Sequence, residues 1–475
     1  MDLTHLLEGK DLQANNIKKI FFYRICGTGM GACACLAKEA GFEVAGADLS
    51  FSPPMSTYLE DSGIDICNLS EVDEAKLKQY DLIIVGNSVP RNSDYARQVE
   101  ACGVPFTSFP TFLGELILKH KNVIGVAGTH GKTTTTYFMT QMLEALNQDP
   151  GYFIGGIMDN RPPSKLGKDF FPIESDEYDS AYFKKISKFR LYEIDHLILT
   201  SLEFDHADIF GSIEDIKNEF RAILKDFKGN IIANDDYPAI LELKEEFPNL
   251  KWNIYGESSY LGPSSMSTEN GRSFFTLAMG EETVKFETNI IGKHNLLNIG
   301  ACALMLFELG FEANQIQNAV RSLGLVKRRQ EERGHYKEAI VIDDFAHHPK
   351  AITLTLQALR QRYPGKKLLT VFEPISATAR SSLFQNEFAE SLENSDQVIM
   401  AMNPLRTTVK DTENLSGDKI VEHLGGKGIK AVKVDSLENL MTEIDSRVDD
   451  QTVLAILSNR TCLGLWESDF AKQLA

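Results

Sequence analysis

The stretch "VIGVAGTHGKTTTTYFM", Val123 to Met139, decides the fold: an apolar β-branched run enters a glycine-bracketed turn that opens into a helix start. Gly131-Lys132-Thr133 supplies the working end of a nucleotide-binding P-loop, a lysine for the β- and γ-phosphates of ATP and a hydroxyl for Mg²⁺. A standard motif also carries a glycine where this chain has Val126, so the loop is the shorter Gly128-Thr129-His130-Gly131-Lys132-Thr133, continued by Thr134. Strand, phosphate loop and helix in this order place the segment in an α/β domain.

Upstream, "KKIFFYRI", "MGACACLAKEAG", "EVAGADL" and "LIIVGNS" alternate strand-like and helix-like patterns, the rhythm of βαβ units and a parallel sheet. Gly27, Gly29 and Gly31 punctuate the first turn and Asp48 ends the second strand, a Rossmann-like arrangement. On its own this is a weak signal, because Ala32 breaks the strict glycine spacing and Arg24 stands where such loops begin with a small residue. A nicotinamide-dependent dehydrogenase would use this first unit and leave the P-loop idle.

Downstream, "HLILTSLEFDHADIF" and "GNIIANDD" continue the central sheet, and "IGKHNLLNIGACALMLFELG" runs from a polar loop into an apolar helix. The basic, irregular segment Leu323 to Arg333 reads as a linker. Beyond it "AIVIDDF", "KLLTVFE", "QVIMAM", "KAVKVD" and "TVLAILSN" read as strands of a further α/β unit. The expected architecture is therefore three α/β domains: a Rossmann-like domain over 1–120, a P-loop domain over 121–323 and a second Rossmann-like domain over 324–475.

The length of 475 residues is too great for one core, and 43% hydrophobic with 24% charged residues is an ordinary globular composition. A net charge of −18 argues against nucleic acid or an anionic membrane as partner, so any anionic ligand must be held by loops and helix N-termini. The N-terminal stretch lacks a basic segment followed by an apolar one, and no long apolar run occurs, so a cytoplasmic location is expected. The seven cysteines are scattered without a CxxC pair and read as reduced thiols.

Four polar clusters accompany the P-loop: Glu174-Ser175-Asp176-Glu177-Tyr178-Asp179, Glu203-Phe204-Asp205-His206-Ala207-Asp208, Lys293-His294-Asn295, and Asp343-Asp344-Phe345-Ala346-His347-His348-Pro349. Any one of them alone is most simply a solvated turn or a helix cap. Together with a P-loop they supply what Mg²⁺ needs, carboxylates at strand ends beside Thr133, with His206 able to complete a second metal position.

"GTHGKTTT", the acidic run from Glu174, "DHAD", "GKHNLLN" and "DDFAHHP" occur in the order found in the Mur ligases, and the chain resembles that family from about residue 20 to 460. The resemblance implies an ATP-dependent amide ligase whose phosphoryl acceptor is the lactyl carboxylate of UDP-N-acetylmuramate. It implies catalytic roles for Lys132, Glu174, His206 and His348, and metal ligation by Thr133, Glu174 and His206. ATP falls to Gly128, Thr129, His130, Gly131, Lys132, Thr133, Thr134, His294, Asn295 and Asn298, with Arg328 or Arg329, Asp343 and Asp344 closing over it. The UDP-sugar falls to Cys26, Gly27, Thr28, Gly29, Met30, Asp48 and Ser88.

Within the family, "SPPMSTYLEDSGI", "EYDSAYFKKISKF" and "LEFDHADIF" are most similar to the branch that adds the murein tripeptide L-Ala-γ-D-Glu-meso-diaminopimelate, the alternative being the branch that adds L-alanine. A monomer or weak homo-oligomer is expected. Three positions depart from the family pattern: Arg24 for glycine, Ile375 for arginine, which leaves Arg380 as the nearby cation, and "SNRTCLGL" for a glycine-rich loop. Phe220-Arg221 lie where some members carbamylate a lysine, so that device is not assumed.

Overall fold

The computed structural model describes residues 1–474 except Pro54, Ile157, Asp159, Asn160, Leu405, Arg406, Thr408, Lys410 and Asp411. Its first sheet comprises β1 (Lys19–Tyr23), β2 (Glu43–Asp48), β3 (Asp65–Asn68), β4 (Leu82–Val85) and β5 (Phe106–Ser108). They pair in parallel in the order β3-β2-β1-β4-β5. The cores of β1 and β4 are apolar at every position and fully buried, as expected of parallel strands covered on both faces. The order reverses between β1 and β4, so the loops leaving their carboxyl ends open a crevice at the topological switch point.

The central sheet contains β6 (Asn122–Ala127), β7 (Tyr152–Phe153), β8 (Ser164–Lys165) and β9 (Phe170–Ser175). A hairpin of β10 (Asp179–Ala181) and β11 (Lys184–Ser187) precedes the remaining members, β12 (His196–Leu199), β13 (Asn230–Asn234) and β14 (Lys251–Tyr255). The seven-stranded order is β14-β13-β12-β6-β9-β7-β8, parallel except for the β7–β8 pair. A second, antiparallel sheet of β15 (Ser264–Glu269), β16 (Arg272–Met279) and β17 (Glu282–Thr288) packs Phe275, Leu277 and Phe286 into the same apolar cluster as the helix Lys293–Glu308.

The last sheet is built from β18 (Glu331–Tyr336), β19 (Ala339–Asp344), β20 (Lys367–Glu373), β21 (Gln397–Ala401), β22 (Lys430–Val434) and β23 (Thr452–Ser458). Its order is β18-β19-β23-β20-β21-β22, with only the β18–β19 pair antiparallel. The chain is thus a three-domain α/β protein, as the sequence pattern implies.

Two elements differ from the sequence reading. The segment read as a linker up to Arg333 already enters β18 at Glu331, an edge strand polar on nearly every residue, so it carries no alternation to betray it. The antiparallel sheet was not anticipated, although Asn270 and Gly271 both adopt positive φ at 50° and 73°, the type I′ signature that Asn-Gly announces.

The first and central domains share one apolar cluster that extends from Leu12 and Phe112 to Phe171 and Phe220. Polar ties cross the same boundary: the Tyr58 hydroxyl donates to the Arg161 carbonyl at 2.9 Å and Ser164 Oγ to the Ala32 carbonyl at 2.8 Å. All seven cysteines are free, and no described helix is long and apolar enough to cross a membrane.

Candidate active site

The P-loop leaves β6 through a close backbone approach. Gly128 has φ 134°, and a Cβ there would lie 2.6 Å from Thr200 Oγ1 and 2.8 Å from the Ser201 nitrogen. The His130 N–H donates to Ser201 Oγ at 2.7 Å, and Thr200 Oγ1 donates to the His130 carbonyl. Gly131, at φ 81°, caps the helix Lys132–Ala145 without a side-chain acceptor, so the first-turn N–H groups remain directed at the loop mouth. Asn298, on the facing helix, packs 3.2 Å from the position of a Gly131 Cβ.

Lys132 heads that helix and is the centre of a buried charge cluster. Its Nζ donates to the Gly128 carbonyl at 2.6 Å and to Glu177 Oε2 at 3.0 Å, with Asp176 at 4.0 Å. Burial alone would pull the lysine down, but Glu177, Asp176 and Glu174 outweigh it and hold the ammonium above the ordinary lysine range. On the other side of Glu177, His206 Nε2 lies 3.4 Å from Oε1. Burial opposes the imidazolium, and Glu177 with Asp205 more than restores it, so His206 titrates above the usual value. Thr133 Oγ1 donates to Glu174 Oε1 at 2.9 Å, and the Gly155 N–H holds the other oxygen at 2.8 Å. The structure therefore separates two groups, Thr133 with Glu174 and His206 with Glu177 and Asp176, on either side of Lys132. The sequence reading had singled out only Glu174 from this acidic run.

The C-terminal domain closes against the loop. The His348 ring lies with its centroid 4.4 Å from that of His130, and the Ala207 N–H donates to Thr378 Oγ1 at 3.3 Å. Burial pushes His348 well below the ordinary histidine range, with His130 adding to the effect and Asp205 opposing it. His347, also lowered by burial, directs Nδ1 at the Phe345 carbonyl at 3.0 Å. His294 faces Gln330 across the domain boundary at 3.3 Å, and burial, reinforced by Arg329, brings its imidazole down to about 4. Asn295 is occupied in its own helix, donating to the Ile291 carbonyl at 2.8 Å.

Asp343 and Asp344 are buried and engaged by protein. Arg328 Nε donates to Asp343 at 3.1 Å while its Nη2 reaches the Ser458 and Arg460 carbonyls, both at 2.7 Å. Asp344 accepts from the Gln330 and Ala346 N–H groups, each at 2.7 Å. Burial pushes Asp343 up to about 6 even though Arg328 and Arg333 oppose the shift. Arg328 and Arg329 both lie over the Phe345 ring, at 5.6 Å and 5.0 Å from its centroid.

Two of the three departures acquire a physical account. Arg24 adopts φ 71°, the left-handed backbone for which glycine is the usual residue, and its Nε lies 3.3 Å from Asp48. In "SNRTCLGL", Cys462 and Leu463 have φ 55° and 51°, so the loop keeps a glycine-type backbone with side chains on it. Glu373 holds it there, accepting from Ser458 Oγ and from the Cys462 and Leu463 N–H groups. Nothing in the structure explains Ile375; Arg380 Nε is buried without a hydrogen-bond partner among the described residues.

In the first domain Gly27 caps the helix Thr28–Glu39, which carries Gly29 and Met30 in its first turn, and Ser88 lies exposed in the loop after β4. Asp48 is turned inward, accepting from the Cys26 N–H at 2.8 Å and the Leu49 N–H at 2.7 Å. The Cys26 N–H is thereby used to pin the turn, leaving the helix N-terminus and the loop around Ser88 to face the crevice.

Comparison with known proteins gives the family. Residues 19–121 match the Mur ligase family catalytic domain, 126–306 the Mur ligase middle domain and 328–460 the Mur ligase glutamate ligase domain. The chain is 37% identical over 393 residues to the UDP-N-acetylmuramate–L-alanyl-γ-D-glutamyl-meso-2,6-diaminoheptandioate ligase of Escherichia coli, an alignment covering 80% of this chain and 84% of that one. The chain is a Mur ligase. Other members are also similar: the UDP-N-acetylmuramate–L-alanine ligase of Streptococcus sanguinis is 31% identical over 434 residues, covering 90% of this chain and 92% of the relative. Among solved structures, a murein peptide ligase from Psychrobacter arcticus superposes with a TM-score of 0.69 at 27% identity, covering 96% of this chain and 98% of the other. A UDP-N-acetylmuramate–alanine ligase from Thermotoga maritima reaches 0.76 at 23% identity over 96% and 98%, which speaks to the fold alone. As a Mur ligase the chain is an ATP-dependent enzyme that forms amide bonds.

Proposed function

We propose that this Mur ligase joins the murein tripeptide L-Ala-γ-D-Glu-meso-diaminopimelate to UDP-N-acetylmuramate, with ADP and phosphate as the other products, in cytoplasmic peptidoglycan recycling. The observation that carries the reading is the 37% identity to the Escherichia coli ligase of that name over 80% of this chain. The L-alanine ligase is the second reading, favoured by relatives of that name that span up to 98% of this chain at 29% identity. ADP release measured with UDP-N-acetylmuramate and each amine in turn tests the proposal: turnover with tripeptide supports it, and turnover confined to L-alanine replaces it with the second reading.

In this reading the sugar's carboxylate attacks the γ-phosphorus of ATP, the bond to the β-γ bridging oxygen breaks, and ADP leaves an acyl phosphate. The peptide's amine attacks the acyl carbon, loses a proton, and the tetrahedral intermediate expels phosphate. Positioning and charge neutralisation carry such a reaction, with no protein nucleophile. Lys132 spans the β- and γ-phosphates, and the uncapped N–H groups at Lys132, Thr133 and Thr134 hold their oxygens. His347 and His348 border the arriving amine, and burial, which disfavours the imidazolium, keeps both rings neutral there. Asn298, His294 and Arg329 complete the nucleotide's surroundings from the central and C-terminal domains.

Thr133 Oγ1 and Glu174, hard oxygen donors 2.9 Å apart beside the phosphate loop, fit Mg²⁺, and His206 offers a second position. Bound there, Mg²⁺ neutralises phosphate charge. Glu174→Gln keeps the shape and removes the charge, so the Mg²⁺ concentration for half-maximal rate should rise by about tenfold or more. An unchanged Mg²⁺ titration would reduce Glu174 to a cap for Thr133 and Gly155.

In this reading the UDP-sugar binds at the switch-point crevice of the first domain. Arg24 adds a cation at its mouth, at a strained backbone position. Arg24→Gly should therefore weaken UDP-N-acetylmuramate binding by about tenfold through lost charge-assisted contact while raising stability by about 1 kcal/mol. Calorimetric titration and thermal unfolding measure the two; unchanged affinity would confine Arg24 to its pairing with Asp48.

The ATP surroundings come from two domains that touch at His130–His348 and His294–Gln330. Closure about the segment near Leu323 excludes water from the acyl phosphate. Small-angle scattering should give a smaller radius of gyration for the complex with a non-hydrolysable ATP analogue than for the free protein. Equal radii would mean a site assembled in advance.

A further inference from the structure

Where the central and C-terminal domains meet, one cluster is left unused by the Thr133–Glu174 and His206 positions. His130, Glu203 and His348 each present one ligand atom, and the three atoms lie within 4.8 Å of one another. His130 Nε2 and Glu203 Oε2 are 3.3 Å apart. Both of these atoms, together with both ring nitrogens of His348, are buried and have no hydrogen-bond partner among the described residues. The His348 side chain belongs to a residue only 9% exposed. Buried polar atoms are normally satisfied, so convergence of several unsatisfied ones on a single point calls for a ligand.

We propose that His130, Glu203 and His348 form a binding site for one borderline divalent cation of the zinc class, clasping the phosphate loop to the C-terminal domain. Two imidazoles and a carboxylate, with one coordination position open, form a recurrent zinc donor set. Zinc bonds of about 2.1 Å in a tetrahedron put ligand atoms about 3.4 Å apart, close to the His130–Glu203 spacing and within a small side-chain adjustment of the full cluster. Nitrogen donors favour such a cation over Mg²⁺, which prefers an all-oxygen shell. The site therefore differs in chemistry from the oxygen pair at Thr133 and Glu174.

Each ligand is held by the backbone that carries it. The His130 N–H is anchored on Ser201 Oγ at 2.7 Å and its carbonyl accepts from Thr200 and Ser201. Glu203 exchanges two hydrogen bonds with Thr129, its N–H donating to Oγ1 at 2.8 Å and its carbonyl accepting at 3.1 Å. His348 is the cap residue of the helix Pro349–Arg362, with Phe384 packed edge-on against its ring at 5.1 Å. Because two ligands belong to the central domain and one to the C-terminal domain, cation binding holds them together and occupies the space in which His348 meets an amine. Zinc is thereby expected to lock the free enzyme in an inactive, closed state.

The test needs no substrate, so its failure leaves the ligase reading intact. The full-length protein is dialysed against zinc chloride in excess Mg²⁺ and bound zinc is measured; Co²⁺ in place of zinc supplies a visible absorption band for the coordinated ion. Wild type should hold one zinc per chain, and His348→Ala and Glu203→Gln should each weaken binding at least tenfold and abolish the cobalt band. His206→Ala should leave both unchanged. Should His348→Ala unfold, the isosteric Glu203→Gln decides. Absence of stoichiometric zinc in wild type, unchanged binding in Glu203→Gln, or loss in His206→Ala would each overturn the site.

Discussion

Lys132→Ala is expected to reduce ADP release by at least about 10³-fold, about 4 kcal/mol of barrier, while UDP-N-acetylmuramate still binds. In the proposed reading Lys132 reaches the phosphates from the head of its helix, where Gly128, Glu177 and Asp176 hold it. Alanine removes the one side-chain ammonium of the loop and leaves Glu177, 2% exposed, without its principal counter-charge. An unpaired buried carboxylate is costly, so some local destabilisation accompanies the chemical defect. UDP-sugar affinity separates the two effects, because that ligand is assigned to the switch-point crevice of another domain. Retention of half the wild-type rate would remove Lys132 from the phosphate-binding role.

Gly128→Ala should disable the same loop through its backbone. At φ 134° an L-residue is strained by about 1–3 kcal/mol, and the added Cβ would meet Thr200 Oγ1 at 2.6 Å and the Ser201 carbonyl oxygen at 2.7 Å. Those atoms belong to the strand end that fixes His130, so the clash cannot be relieved by a side-chain rotation alone. The loop must shift, and Thr129, which pairs with Glu203, shifts with it. Activity should fall at least 10²-fold, since displacement of about 1 Å at a reacting centre has that effect, with earlier unfolding of the central domain in urea. Near-normal ADP release from Gly128→Ala would show that the close approach does not hold the phosphate loop in its working shape.

Much of this site was legible because its sequence signals are local. Gly128 and Gly131 take the backbone conformations that only glycine tolerates easily, and Lys132-Thr133 follow at a fixed offset on the helix they begin. The inner strands β1, β4, β6, β12, β19, β20, β21 and β23 announced themselves as short apolar runs, since burial on both faces requires it, whereas β3, β5, β9 and β14 did not. What escaped reading was direction. In the acidic run after Ile173, sequence alone does not tell which carboxylates turn inward. Glu174 pairs with Thr133, whereas Glu177 and Asp176 surround Lys132, a division made by the hairpin that follows β9. Asp48, read as a ligand contact, also accepts from two backbone N–H groups, which the sequence does not announce. Glu203 lay in plain view but gained its meaning only from His348, distant in sequence and supplied by another domain.

Arg24, Cys462 and Leu463 teach a related point. A motif comparison sees a glycine replaced at Arg24 and a glycine-rich loop replaced by "SNRTCLGL", whereas the backbone has positive φ at all three of these residues. Neighbouring carboxylates, Asp48 in one loop and Glu373 in the other, hold these backbones in place.

The central claim is the identity of the amine, and a competition experiment addresses it most directly. The enzyme is given ATP, Mg²⁺ and UDP-N-acetylmuramate with equimolar L-Ala-γ-D-Glu-meso-diaminopimelate and L-alanine, and the UDP-linked products are resolved by mass spectrometry. The tripeptide adduct should exceed the L-alanine adduct by at least about tenfold, a difference of about 1.4 kcal/mol between the two transition states. A product consisting mainly of UDP-N-acetylmuramoyl-L-alanine would contradict the account.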